Sequence, residues 1–128
     1  MKLASIDVGL KRIGIAICLT SDIVTPQTAK KQKNRNQAAR DVNIFLKEWE
    51  IEKLIVGFPS ASIDMQNRIN HFVSLLELEI PYEFCEENMS SIEAEDLIKG
   101  EIKYKRDGRI DSLAAKIILE RYLTKKIS

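Results

Sequence analysis

The order of the apolar segments is the feature that most constrains how this chain can fold. Three short apolar segments, predicted as strands at 2–7, 12–18 and 23–27, follow one another with short connections. Strands joined so closely are antiparallel, so the chain is predicted to begin as a meander. Helix and strand patterns then alternate, which is typical of parallel strands joined by helices. The sequence therefore predicts an α/β fold with one mixed five-stranded sheet, flanked by helices.

The later elements are predicted from the spacing of apolar residues. The predicted helices are 36–49, 63–77, 90–100 and 111–125, and the predicted strands are 53–57 and 82–85. Right-handed crossovers place the strand at 53–57 beside the first strand. Asn36 is the predicted N-cap of the first helix, and Trp49 and Met65 are assigned to buried helix faces. The polar segment 30–35 is predicted as a loop.

Length and composition indicate one globular domain over residues 1–128. Hydrophobic residues make up 45% and charged residues 30% of the chain, which excludes intrinsic disorder. The sequence shows no secretion signal and no apolar run long enough to span a bilayer, so a cytoplasmic protein is expected. Cys18 and Cys85 lack metal-binding spacing and are predicted to be buried thiols. His71 is predicted to lie at the solvent edge of its helix.

Carboxylates occur where the predicted sheet would gather them. Asp7 ends the first strand, Glu86 and Glu87 follow the fifth, and Asp111 begins the last helix. Ligands of open α/β sheets bind outside the carboxyl ends of the strands. Converging carboxylates repel one another unless a hard cation such as Mg²⁺ or Mn²⁺ neutralises them, and such ions support phosphodiester hydrolysis. Each residue also has a purely structural explanation, as a turn, a solvated strand end or a helix start.

The formal net charge of +1 conceals opposed blocks of charge. Five basic residues and no acidic one lie between Lys30 and Arg40, whereas eight acidic and no basic residues lie between Glu77 and Asp96. A second basic excess occurs between Lys99 and Arg109. The two basic segments could bind a phosphate backbone beside a metal site, or could simply be solvated.

Three motifs resemble those of the YqgF/RuvX family of RNase H-fold nucleases. The first is SIDVGLKRIGIA at 5–16, the second is LIVGFP at 54–59, and the third is IDSLAAKIILE at 110–120. The resemblance covers the whole chain in the family's order. It implies an RNase H-like hydrolase that matures the 5′ end of pre-16S rRNA in ribosome biogenesis.

The resemblance also implies the functional residues. Asp7, Glu87 and Asp111 would be the catalytic carboxylates that bind Mg²⁺ or Mn²⁺, with Glu86 as an additional carboxylate. Substrate contacts are expected from the residues Lys11, Arg12, Asn88, Arg106 and Arg109. Asn88 departs from the family, whose members carry an arginine there, and the segment after Pro59 lacks the family's glycines.

Alternative functions remain open on the sequence alone. One is a Holliday junction resolvase acting on branched DNA, as a monomer or a homodimer. Another is a factor that binds RNA or ribosomal particles with little or no cleavage, motivated by Asn88. A third interprets Asp7 to Gly9 as the phosphate loop of an actin-like ATPase, although 128 residues provide only one lobe.

Overall fold

The computed structural model describes residues 1–20, 23–86 and 109–127, including the side chains of residues 112–125 in the last helix. One sheet contains all five described strands, in the order β3-β2-β1-β4-β5. The elements in chain order are β1 Leu3–Val8, β2 Arg12–Cys18, β3 Thr25–Lys31, α1 Arg35–Glu48, β4 Lys53–Phe58, α2 Ile63–Leu75, β5 Tyr82–Glu86 and α3 Arg109–Ile127. The helix predicted at 90–100 lies outside the described residues.

Strand directions confirm the predicted mixed sheet. The pairs β1–β2 and β2–β3 are antiparallel, whereas β1–β4 and β4–β5 are parallel. The strand after α1 lies beside β1, as the handedness of crossovers predicts. Among the described strands β2 alone runs in the opposite direction, so β1, β3, β4 and β5 all end at the same edge of the sheet, which we call the carboxyl edge.

The sheet separates two apolar layers because alternate residues of a strand point to opposite faces. Ala4, Ile6 and Ile15 belong to the layer that packs against α1 and α2. On the other face, Ala16 and Ile55 pack against α3. Both layers contain fully buried branched side chains, so the sheet is covered on both faces. No described helix has the combination of length and apolar character that crossing a membrane requires.

The structure corrects several predicted boundaries. β3 continues through Lys31, so part of the predicted loop at 30–35 is the edge strand of the sheet. Asn34, not Asn36, caps α1, and it forms a capping box in which its side chain accepts from the Gln37 amide. Apolar spacing does not distinguish these alternatives, since the capping residue is identified only by its hydrogen bonds.

Two side chains assigned to buried helix faces are partly exposed. Trp49 is 37% exposed because α1 ends at Glu48 and Trp49 is its C-cap. Met65 is also 37% exposed, since it lies in the first turn of α2, at the rim of the apolar layer. Cys18 and Cys85 are buried free thiols and His71 is exposed, as predicted.

Candidate active site

The carboxyl edge collects the ends of several elements. The strands β1, β4 and β5 end there, and α1 and α2 begin there directly after β3 and β4. α3 begins at the same edge, because Ala115 contacts the middle of β1 while Tyr122, farther along the helix, contacts Lys53 at the start of β4. Backbone segments from distant parts of the sequence are thereby brought to one edge of the sheet.

Asp7 lies on the α3 face of the sheet. It is two residues beyond Ser5, whose hydroxyl donates to the Ala115 carbonyl of α3 at 2.6 Å, so both side chains leave β1 on the same face. Asp7 is paired with Gly14 of β2 and is half-buried. On the other side of β1, the register of β4 continues to Gly57, which has no side chain to fill the space beside Asp7.

Two buried serines fix the start of α3 against the sheet. Ser5 and Ser112 are both fully buried. The Ser112 hydroxyl accepts a hydrogen bond at 3.0 Å from the backbone N–H of Ile15, beside a register shift between β2 and β3. Ala115 of α3 lies beside Ser5 of β1. Ser112 lies beside Ile15 of β2, which directly follows Gly14, and Gly14 is the residue that pairs with Asp7. The backbone of residue 111, in the first turn of α3, is therefore at the level of Asp7.

The turn after Asp7 is held from two sides. Gly9 donates its N–H to the Arg12 carbonyl at 3.0 Å, which closes the hairpin. A β-carbon at Gly9 would lie 2.7 Å from that same oxygen, closer than real contacts allow. The Gln32 side chain donates to the carbonyls of Gly9 and Leu10, both at 2.8 Å, and so joins the turn to the end of β3.

Glu86 lies on the opposite face of the sheet from Asp7. It directly follows Cys85, whose thiol donates to the Ile118 carbonyl on the α3 side, so strand alternation directs Glu86 toward α2. Its carboxylate accepts from the Ser60 backbone N–H at 3.3 Å. Glu86 thus shares an edge with Asp7 but not a face.

Other predicted site residues are described only in part. Glu87, Asn88 and Arg106 lie outside the described residues, and for Arg109 and Asp111 the backbone is described but the side chain is not. Lys11 and Arg12 are exposed in and just after the turn at the carboxyl edge. Within residues 1–20, 23–86 and 109–127, no three His, Cys, Asp or Glu side chains are grouped closely enough to hold a metal ion.

Sequence reasoning missed the residues that position the site. Ser5 and Ser112 lie inside the first and third motifs, but their burial and hydrogen bonds appear only when α3 is packed on the sheet. Gln32 lies in the segment predicted as a loop, and the sequence indicates no role for it. The sequence offered one signal for Ser5 and Ser112: each is a small polar residue among apolar neighbours.

Comparison with known proteins identifies the family. The RuvX family, described as Holliday junction resolvase, matches residues 1–125. A protein from Sulfurovum sp. (strain NBC37-1) is 62% identical over 97% of this chain and 99% of its own length, and one from Helicobacter pylori (strain Shi470) is 49% identical over 91% and 90%. Both are named as candidate pre-16S rRNA nucleases.

Solved structures share the fold at low sequence identity. The Fowlpox virus resolvase, crystallised with Holliday junction DNA, has a TM-score of 0.59 at 15% identity, and 100% of each chain is covered. Thermus thermophilus RuvC has a TM-score of 0.52 at 13% identity and covers 100% of this chain and 97% of its own. These likenesses confirm the RNase H-like fold that the motifs implied. The family is shown by the match over residues 1–125 and by the relatives at 62% and 49% identity: the chain belongs to the RuvX family.

Proposed function

We propose that this chain is a metal-dependent hydrolase that cleaves phosphodiester bonds during maturation of the 5′ end of pre-16S rRNA in the cytoplasm. The observation that carries the proposal is the convergence of Asp7 with the first turn of α3 at the carboxyl edge. Hydrogen bonds from Ser5 and to Ser112 fix that convergence. The names of the curated relatives supply the substrate class.

The donor set suits Mg²⁺ or Mn²⁺. Asp7 is a half-buried carboxylate on the α3 face, and the sequence supplies Asp111 at the start of α3 and Glu87 directly after β5. Hard divalent cations prefer such oxygen ligands. A cation held by Asp7, Glu87 and Asp111 would supply the positive charge that offsets these carboxylates and the substrate phosphate. Glu86, on the other face, is not included among the ligands.

The described residues around Asp7 hold its backbone in a fixed position. Asp7 is held by the ladders of β1 with β2 and β4, and the closed Gly9 turn follows it directly. We assign contacts with substrate phosphates to Lys11 and Arg12, which are exposed beside the Gly9 turn. The family resemblance implies the same role for Asn88, Arg106 and Arg109.

Cleavage of a pre-16S 5′-leader RNA tests the proposal. With Mg²⁺ or Mn²⁺ present, Asp7→Asn and Asp111→Asn should each reduce the cleavage rate by more than about a hundredfold, because even outer-sphere changes at metal sites cost 10–100-fold. Glu48→Gln is the matched control, since Glu48 is an exposed carboxylate at the far end of α1. Undiminished cleavage by both aspartate variants would overturn the assignment.

A second candidate substrate is branched DNA, favoured by the description of the matching family. An assay in which leader RNA and a four-way DNA junction compete for the protein distinguishes the two substrates, because a resolvase should cleave the junction faster. A resolvase should also act as a dimer that matches the two-fold symmetry of the junction. A protein that binds the RNA but cleaves neither substrate, even with Asn88→Arg, would instead be a maturation factor.

A further inference from the structure

A groove at the carboxyl edge lies on the face of the sheet opposite to Asp7. It is enclosed by the β1–β2 turn, the connection between β3 and α1, and the first half of α2, and its volume is about 290 Å³. Its lining combines basic and apolar side chains, among them Lys33, Arg35, Arg68, Leu10, Met65 and Phe72.

The charged residues in the described lining are all basic. They are Lys33, Arg35 and Arg68, and none of the described residues that line the groove is acidic. The Arg35 guanidinium is 2.7 Å from Nδ1 of His71 on α2. Since a guanidinium only donates, Nδ1 is the acceptor, and this contact uses one of the five N–H donors of Arg35. Three cations from a connection and two helices thus face a common space.

The apolar part of the lining is accessible as well. Leu10 is 69% and Met65 37% exposed, while Phe72 forms a buried base. A chain with phosphates on one side and sugars or bases on the other would match this combination of cations and apolar surface. A volume near 290 Å³ is at the small end of ligand sites and cannot admit a duplex.

We propose that this groove binds the phosphate backbone of a single nucleic-acid strand that continues from the cleavage site. Val8 and Gly9 line the groove, and Asp7 directly precedes them on the other face of the sheet. A nucleic-acid strand that crosses the Gly9 turn would therefore reach both the groove and Asp7. The inference rests on the proposed function, which it deepens by assigning Arg68 and Lys33 to substrate binding outside the three family motifs.

Salt-dependent binding tests the groove without cleavage. The probe is a fluorescent single-stranded RNA of about 16 nucleotides, titrated by anisotropy in EDTA between about 50 and 200 mM salt. Lys33→Gln and Arg68→Gln should each reduce the slope of log K against log salt by about 0.7, the value for one phosphate contact on a single strand. The double variant should lose about twice that.

Lys47→Gln is the matched control. Lys47 is exposed in the last turn of α1, about 18 Å along the helix from Arg35 at a rise of about 1.5 Å per residue, so it removes the same charge far from the groove. Circular dichroism and thermal midpoints check that each variant folds, as expected for exposed positions.

The outcomes separate the two proposals. Smaller slopes for the Lys33 and Arg68 variants, with an unchanged slope for Lys47→Gln, support the groove. If wild-type protein binds the RNA but all the variants behave alike, the groove proposal is overturned and the nuclease proposal stands. If wild-type protein does not bind the RNA at all in EDTA, the groove proposal is overturned, and the cleavage assay with Mg²⁺ or Mn²⁺ decides the nuclease proposal independently.

Discussion

Replacing Ser112 by alanine should destabilise the protein more than removing the hydroxyl of Ser5 or Ser74. Ser112 is fully buried, and its hydroxyl accepts the Ile15 backbone N–H at 3.0 Å. That N–H lies where the register between β2 and β3 shifts, so the regular ladder is interrupted there. The alanine variant would leave a buried backbone donor without this acceptor.

The structure sets the size of the effect. A buried donor that loses its acceptor costs about 1–3 kcal/mol. For a domain of this length, about 1 kcal/mol corresponds to roughly 4 °C in the unfolding midpoint, so Ser112→Ala should lower it by about 4–12 °C. Ser5→Ala should cost only about 1 kcal/mol, because the Ala115 carbonyl lies inside α3, where the helix ladder also supplies a donor.

Thermal and urea unfolding would measure the stability of Ser112→Ala and Ser5→Ala, with Ser74→Ala as the control. Ser74 is exposed and donates to the His71 carbonyl within its own helix, so its replacement should change stability by less than about 0.5 kcal/mol. Cleavage by Ser112→Ala should also be slower, since the first turn of α3 carries Asp111 and small displacements of catalytic groups are costly.

Equal midpoints for Ser112→Ala and Ser74→Ala would refute this explanation. They would mean that the Ile15 N–H finds another partner, or water, at no cost. An unchanged midpoint combined with slow cleavage would also contradict it, because the two effects are expected to share one cause.

Three further predictions concern the turn, an ion pair and a thiol. Gly9→Ala should destabilise the protein by about 1–3 kcal/mol in urea, because the new β-carbon meets a backbone oxygen at 2.7 Å; a wild-type midpoint would show that the turn adjusts freely. Hydrogen bonds to the Tyr122 hydroxyl and the Glu83 carboxylate raise the pKa of Lys53 above 10.5. The contribution of Lys53 to the free energy of unfolding is therefore complete below about pH 10.5 and is lost as the pH rises through the folded-state pKa. The difference in unfolding free energy between wild type and Lys53→Met should become smaller over that pH range. A difference that stays constant with pH would contradict this. Burial raises the pKa of the Cys85 thiol, so iodoacetamide at about pH 8 should modify it only after unfolding, and rapid labelling of the native protein, followed by mass spectrometry, would disprove the assignment.

The pattern of apolar residues predicted the strands of the sheet well, because each strand is specified by a few neighbouring residues. The strand at 12–18 has the predicted bounds, and the position of β4 beside β1 follows from the handedness of the crossover. The errors occur where local patterns conflict with pairing. Lys30 and Lys31 are polar, yet they belong to β3 because an edge strand needs a partner on only one side and can expose polar side chains.

The acidic members of the candidate site stay predictions from the sequence, and its geometry could not be predicted from the sequence at all. Asp7 and Asp111 lie inside the first and third motifs, and Glu87 is assigned by the family resemblance. That Glu86 leaves β5 on the face opposite to Asp7 depends on which face of β5 contacts α3, and it follows from the Cys85 contact with Ile118. Strand alternation makes a shift of one residue a change of face.

The sequence by itself therefore determined the family and the order of the described elements, and it supplied the prediction that Asp7, Glu87 and Asp111 bind a cation. Only the tertiary structure decided that Ser5 and Ser112 fix α3 against β1 and β2, and that Lys33, Arg35 and Arg68 face one groove. The physical reason is the difference between local and long-range interactions. Propensity and periodicity act over a few neighbouring residues, whereas these hydrogen bonds and the groove join residues far apart in the chain.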